Sequence, residues 1–291
     1  MIPHFRTRLK LAALTVAGRN PLGPLNQTVR EYGRYLSVDI ACRRIAENCR
    51  KLKNDPIGIN LWATPGGELW APESTDRTGI AVMLAEQELG AYGNGSVQCR
   101  AGDIVLDCGA NIGLFSRMAV AAAAKRVIAV EPFRLSAECL RRNLAKEIAA
   151  GQVVVYEKGL WDEESHLPFI IDPHNAGGNS FITVNKDAYE GQAIAVTTID
   201  RLIRDLDLER VDFIKMDIEA AEQRALAGAA NTLKTFRPRL VIAVEHTPDR
   251  LGNARGVIQI VQRANAGYSF ECGLCYVSPE NHVLPELLYF H

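Results

Sequence analysis

Asp103-Ile-Val-Leu-Asp107-Cys-Gly109-Ala-Asn111-Ile-Gly113-Leu-Phe115, then an alanine-rich run and Val127-Ile-Ala-Val130-Glu131-Pro132, is the stretch that decides the fold. Ile104, Val105 and Leu106 form a short apolar run that ends in Asp107. Cys108–Gly113 reads as a bend, Leu114–Lys125 as a helix of small and apolar residues, and Val127–Val130 as a second buried strand. Strand, glycine turn, helix, strand and terminal acid make the first half of a nucleotide-type Rossmann unit. The glycines allow a sharp turn and let a ligand approach bare backbone. Glu131, ending the second strand, can accept hydrogen bonds from both hydroxyls of a ribose.

The spacing of the glycines narrows the ligand. A dinucleotide fingerprint wants glycine at the first, third and sixth turn positions, where a pyrophosphate lies against the chain. Here those positions hold Gly109, Asn111 and Leu114, with Gly113 beside them. Asn111 would crowd a pyrophosphate and disfavours a nicotinamide dehydrogenase. It suits a ligand without phosphate, such as S-adenosylmethionine. The cofactor contacts expected on this basis are Asp107, Gly109, Ala110, Asn111, Gly113, Glu131 and Pro132.

The chain has 291 residues, 47% hydrophobic and 23% charged, with a formal net charge of -1. That is an ordinary globular mixture, with no global field to gather nucleic acid. No apolar run approaches the ~20 residues of a membrane span. The seven cysteines are scattered, two of them, Cys108 and Cys139, in the expected Rossmann core, as suits reduced thiols in a cytosol. Cys272 and Cys275 form a lone C-x-x-C within an apolar segment, which reads as structural.

Upstream, residues 1–75 read as a helical extension serving dimerisation, docking or a lid, and 76–291 as the ligand-binding domain. Arg6, Arg8 and Lys10 with the apolar Leu11–Ala17 resemble a weak signal peptide, but Phe5, Leu9, Ala12, Ala13 and Val16 fall at helical spacing, and an amphipathic helix is the simpler reading. Val29–Lys53 reads as a second, basic helix, a solvated face or a dock for an acidic carrier, and Gly58–Leu69 as a hairpin. Asp76–Ala91 reads as a helix ahead of the first strand, a flap offering Glu86 and Tyr92. Downstream, Val153–Tyr156 is expected as the third strand. After it Glu157–Asp162, with Gly159 and Trp161, lies where an adenine edge could be read. A β insertion spans about 163–198, with strands including Ser180–Val184 and a tip at Gly177-Gly178 suited to substrate contacts.

Val211–Asp217 and Leu240–Val244 are the fourth and fifth strands, with Ala220–Phe236 and Pro248–Ala266 as helices. Tyr268–Val277 and Val283–Phe290 close the chain as an antiparallel pair. Strands alternating with helices imply a mostly parallel α/β sheet covered on both faces. Ligands in such sheets bind beyond the C-terminal strand ends. Those ends carry Asp107, Glu131, Asp217 with Glu219, and Glu245 with His246. Methyl transfer to an alcohol requires alignment, exclusion of water and a proton acceptor. Asp217, Glu219 and His246 are the candidates. Asp217 could instead hold the cofactor's amino group, and Glu219 could pair Lys215 or start the next helix. The same three side chains are a donor set for a divalent metal, a reading not favoured over proton transfer.

Asp107-Cys-Gly-Ala-Asn-Ile-Gly113, Val130-Glu-Pro132, Thr198-Ile-Asp200, Lys215-Met-Asp-Ile-Glu219 and Val244-Glu-His246 together resemble the FkbM family of S-adenosylmethionine-dependent methyltransferases. The resemblance covers about residues 80–250. It implies a class I methyltransferase fold, Rossmann-like, with a seven-stranded sheet whose last strand is antiparallel. It also implies O-methylation of a sugar or polyketide-type hydroxyl, in natural-product or glycan chemistry. N-methylation, a peptide- or carrier-bound acceptor, and a non-catalytic adenosyl-binding scaffold are the alternatives. A homodimer is compatible with it. One departure stands out: the family usually has glycine where this chain has Ala220.

Overall fold

In the computed structural model, which describes residues 5–95, 97–182 and 187–291, the chain opens with α1 (Phe5–Val16) and α2 (Leu25–Glu47). β1 (Arg50–Asp55), β2 (Ile59–Thr64) and β3 (Gly67–Pro72) follow as an antiparallel sheet. The second helix thus stops at Glu47 and does not reach Lys53. Arg50, Lys51 and Lys53 lie on β1, an edge strand so exposed that no apolar alternation marks it. α3 (Arg77–Glu88) starts at Asp76, whose side chain accepts from the Gly79 N–H at 2.8 Å.

The expected Rossmann half comes next: β4 (Ile104–Cys108), α4 (Leu114–Ala121), β5 (Arg126–Val130), α5 (Arg134–Asn143), α6 (Ala145–Ala149) and β6 (Val153–Tyr156). β7 (Gly159–Leu160), β8 (Ser165–Ile171) and β9 (Tyr189–Thr197) form a small separate sheet in the order β7-β9-β8. Of the strand expected at Ser180–Val184, Ser180 makes a single bridge to Ile170, while Thr183 and Val184 lie outside the described residues. α7 (Ile199–Asp205), β10 (Phe213–Met216), α8 (Glu222–Ala227), α9 (Ala230–Thr235), β11 (Arg239–Ala243), α10 (Arg250–Ala264), β12 (Phe270–Val277) and β13 (Val283–Phe290) complete the chain. The single helix expected over Ala220–Phe236 is two, parted at Gly228. There the helix backs onto the Trp161 carbonyl so closely that a Cβ would meet its oxygen at 2.3 Å.

Among the described residues the main sheet has seven strands in the order β12-β13-β11-β10-β4-β5-β6. The β11-β10-β4-β5-β6 pairings are parallel, and β13 runs antiparallel to both β11 and β12. Alternate residues of β4 face opposite ways. Leu106 and Cys108 join Leu202, Leu226 and Val257 in one core, whereas Val105 joins Phe115, Ala119 and Leu140 in another. Both faces are therefore covered by helices, and each fully buried branched side chain contributes about 1.5–3 kcal/mol. This is the α/β, class I methyltransferase-type sheet that the resemblance implies.

The N-terminal elements pack into the same body. Trp62 and Leu69 share a core with Ile80, Ile112, Leu114 and Cys139. The Asn143 side chain accepts from Trp70 N–H at 2.8 Å and donates to the carbonyls of Trp70 and Ile112, both at 2.9 Å. The lone C-x-x-C serves packing: both thiols are free and buried, Cys272 donating to Leu22 O and Cys275 to Thr28 O.

Candidate active site

β4 ends against the turn that starts α4, and three residues there take left-handed backbone: Gly109 (φ 77), Asn111 (φ 49) and Gly113 (φ 87). Gly109 passes so close to the end of β10 that a Cβ would sit 1.8 Å from the Asp217 carbonyl oxygen. Only glycine fits. Gly113 packs against Leu140 and Leu144, so its part is to seat α4 rather than to meet a ligand. Asp107 is also displaced from its expected part. It is wholly buried beneath the turn, accepting from Ser116 Oγ at 2.6 Å and lying 3.5 Å from Lys215 Nζ. Lys215 donates to Gly109 O at 2.7 Å, so it ties the turn to β10 and does not pair Glu219.

Above the turn, at the C-terminal ends of β4, β5, β10 and β11, lies a cavity of about 560 Å³. Gly109, Ala110, Asn111, Glu131, Pro132 and Gly159 line one part of it. Glu131 accepts from the N–H groups of Asn111 and Phe133, both at 2.8 Å, one on each carboxylate oxygen. Each oxygen keeps a lone pair for a ribose hydroxyl. Burial raises the Glu131 carboxyl to about 7, against the pull of those two N–H groups. A bare glycine turn facing an acid at the next strand end fits an adenosyl group without phosphate.

Trp161 does not line the cavity; its ring meets Phe181 edge-on and carries the Arg224 guanidinium at 5.4 Å. The wall there is Lys158, Gly159, Leu160 and Phe181. A Cβ on Gly159 would run into the Phe181 ring at 2.3 Å, which explains the glycine. Phe181 escaped sequence reasoning because nothing local marks an insertion residue as folding back on the rim. The insertion also brings His174–Gly177, Asn179 and Ser180 to the cavity, and Ser180 Oγ bonds the Glu219 carbonyl.

The other part of the cavity gathers Asp217, Glu219 and His246, as their strand-end positions predict. His246 Nε2 meets Asp217 Oδ1 at 2.9 Å, and its Nδ1 meets Glu219 Oε2 at 3.0 Å. Burial alone would drive the imidazole toward neutrality, but the two flanking carboxylates outweigh it and hold His246 protonated. Burial likewise opposes ionisation of Asp217, yet Lys215 and His246 keep it below the usual carboxylate range. Tyr92 OH donates to Asp217 Oδ2 at 2.8 Å, so the flap expected ahead of β4 does reach the site. Glu86 lies 3.4 Å from the same hydroxyl, and burial lifts its carboxyl to about 8. Glu245 reaches His246 only at 3.7 Å, and burial raises it well above the usual range.

The donor atoms of Asp217, Glu219 and His246 lie within 4.8 Å of one another, close enough to share a divalent cation. Both ring nitrogens also face a carboxylate oxygen at hydrogen-bond distance, the arrangement of a protonated imidazole between two acids. Asp217 has both oxygens engaged, and Glu219, which lines the cavity, has no partner for Oε1 among the described residues.

More than half of the chain, residues 107–270, matches the Methyltransferase FkbM domain. The chain belongs to the FkbM methyltransferase family. This FkbM chain is 27% identical over 198 residues to the AMB antimetabolite synthetase AmbE of Pseudomonas aeruginosa, covering 55% of this chain and 9% of that protein. It is 29% identical over 153 residues to methyltransferase sdnD of Sordaria araneosa, covering 43% of this chain and 59% of that one. It thus spans less than two thirds of either relative. Among solved structures it is similar in fold to the FkbM methyltransferase of Methylobacillus flagellatus KT, with a TM-score of 0.50 and 19% identity, over 93% of this chain and 63% of that one. Ala220, the departure noted from the sequence, has φ 77 and follows Glu219 at φ 54. Two successive L-residues are held in left-handed backbone beside the site, a conformation glycine adopts freely.

Proposed function

We propose that this chain is an S-adenosylmethionine-dependent O-methyltransferase acting on a hydroxyl of a sugar or polyketide-type acceptor. One observation carries the reading: a single cavity joins a phosphate-free nucleoside cradle to a carboxylate–imidazolium–carboxylate group. Gly109, Ala110 and Glu131 would hold the adenosyl half, with Gly159 and Pro132 shaping its walls. When bound, S-adenosylmethionine supplies a methyl carbon already activated by its sulfonium. The protein's remaining work is alignment, exclusion of water and removal of one proton.

Glu219 is the proton acceptor in this reading, through its unpartnered Oε1. His246, in contact with Glu219, offsets the negative charge that develops on the acceptor oxygen. Asp217 fixes the imidazolium and is itself fixed by Tyr92. Phe181 and Asn179 of the insertion would exclude water around the acceptor. The FkbM resemblance supports the hydroxyl as methyl acceptor and sugars or polyketides as its class.

The test pairs binding with turnover. Calorimetry with S-adenosylhomocysteine should show saturable binding that Glu219→Gln leaves within a few-fold. Glu219→Gln should lower methyl transfer to a hydroxylated acceptor by roughly 10²–10⁴-fold, the usual range for a positioned acid or base. Binding without turnover across a broad acceptor panel would instead favour an adenosyl-binding scaffold. Chelation of divalent cations should leave the rate unchanged; a loss restored by magnesium would assign the three side chains to a metal.

A further inference from the structure

α1 has two apolar faces, and among the described residues only one is packed. Leu11 and Leu14 pack onto Cys275 and Val283, with Leu25, Val29, Tyr32 and Val277 around them. Phe5, Leu9, Ala13 and Val16 recur every third or fourth residue on the opposite side. They are open to solvent, Phe5 at 75%, Leu9 at 55% and Val16 at 91% exposure. Helix geometry sets Arg6 and Lys10 along one border of this stripe and Arg8 along the other. The helix carries no acid. An exposed apolar stripe bordered on both sides by bases has the composition of a helix lying in a lipid interface.

The position of α1 gives that stripe a direction. Ala243, at the end of β11, pairs with Leu287, so the start of β13 extends past β11 on the rim where the cavity opens. Val277 and Val283, against which α1 packs, pair with each other on that extension. The Val283 N–H donates to Arg19 O at 2.8 Å and pins the exit of α1 there. α1 therefore sits at the cavity end of the sheet.

We propose that α1 is a peripheral docking helix for an anionic lipid surface, bringing the cavity end of the sheet next to the bilayer. Charge decides between occupants. A second copy packed stripe to stripe about a two-fold axis would bring Arg6, Arg8 and Lys10 against their own equivalents. Anionic headgroups would neutralise them, with Phe5, Leu9 and Val16 entering the acyl boundary. At 12 residues α1 is too short to span a bilayer, and no helix among the described residues is long and apolar enough to do so.

The experiment is vesicle flotation of the full chain, with phosphatidylcholine alone and with phosphatidylglycerol added. Binding is expected only with the anionic lipid, and it should fade as salt is raised. Leu9→Asp with Val16→Asp should weaken binding at least tenfold, and Arg8→Gln by roughly fivefold. All three positions are exposed, so thermal melts of these variants should match the parent. The proposal is overturned if anionic vesicles bind nothing at low salt, or bind the double variant as well as the parent. It is equally overturned if Leu9→Asp turns a dimer into a monomer, which would assign the stripe to a second copy. Flotation needs no turnover, so its failure would leave the methyltransferase reading untouched.

Discussion

The two halves of the cavity are built in opposite ways. The proposed cofactor half comes mainly from one contiguous stretch, Gly109 to Pro132, whose turn passes so close to β10 that Gly109 has no room for a Cβ. The acceptor half is made of side chains from α3 and the segment after it, the ends of β10 and β11, and the insertion. A contiguous site of this kind is specified by local sequence and admits few changes. A site assembled across the fold depends on how distant segments pack, and it can vary while the first half stays constant.

The largest expected effect is at Gly109. Gly109→Ala would drive a Cβ into the Asp217 carbonyl, where both halves meet, and should cost more than about 4 kcal/mol by thermal or denaturant unfolding. A variant that folds and binds S-adenosylhomocysteine normally would break the contrast, because the turn would then be pliable.

The sequence showed the first half almost completely, since strand, turn, helix and acid lie within 30 consecutive residues of one another. Even there it assigned Asp107 and Gly113 to the ligand, though they serve Lys215, Ser116 and the packing of α4. Spacing shows that a residue is constrained, not which neighbour constrains it. In the second half, Asp217, Glu219 and His246 were legible because strand ends converge in any such sheet. Tyr92 and Glu86 could be named as a flap, yet their hydrogen bonds could not. Trp161 falls where an adenine edge could be read and could equally be core; its ring is taken by Arg224 and Phe181. β1 was missed for a plainer reason: a fully exposed edge strand leaves no hydrophobic period.

Glu131 sharpens the comparison next. Glu131→Ala removes an acceptor of two ribose hydrogen bonds and should weaken S-adenosylhomocysteine by about 2 kcal/mol, near thirtyfold, in calorimetry. Its raised carboxyl also fixes a pH dependence. The folded state holds this proton up to about 7, against 4.5 for a free glutamate, so its contribution to stability is full below 4.5 and is lost as pH rises to about 7. Glu131→Gln should flatten that part of the stability–pH curve, and a difference curve between the two proteins isolates it from Glu86 and Glu222, whose carboxyls burial also raises.

Tyr92→Phe probes the acceptor half alone. It strips one donor from Asp217 and should slow methyl transfer by about fivefold, corresponding to about 1 kcal/mol, with cofactor affinity unchanged. Equal loss of both would mean the two halves are not separable. The smallest effect, with opposite sign, is at Ala220. Ala220→Gly should raise stability by about 1 kcal/mol in thermal melts, because glycine accepts φ 77 without strain. No gain would mean that the Cβ of Ala220, itself buried, offsets the strain through packing.

The join made by Asn143, Trp70 and the core of Ile112 and Leu114 bears on how this protein can be divided. A protease, a gene fusion or a trimmed clone beginning at residue 76 would have to tear Trp62 and Leu69 away from the floor of the cofactor turn. The first 75 residues are thus no detachable adaptor. A lineage that exchanged them would have to redesign the underside of that glycine turn in the same step.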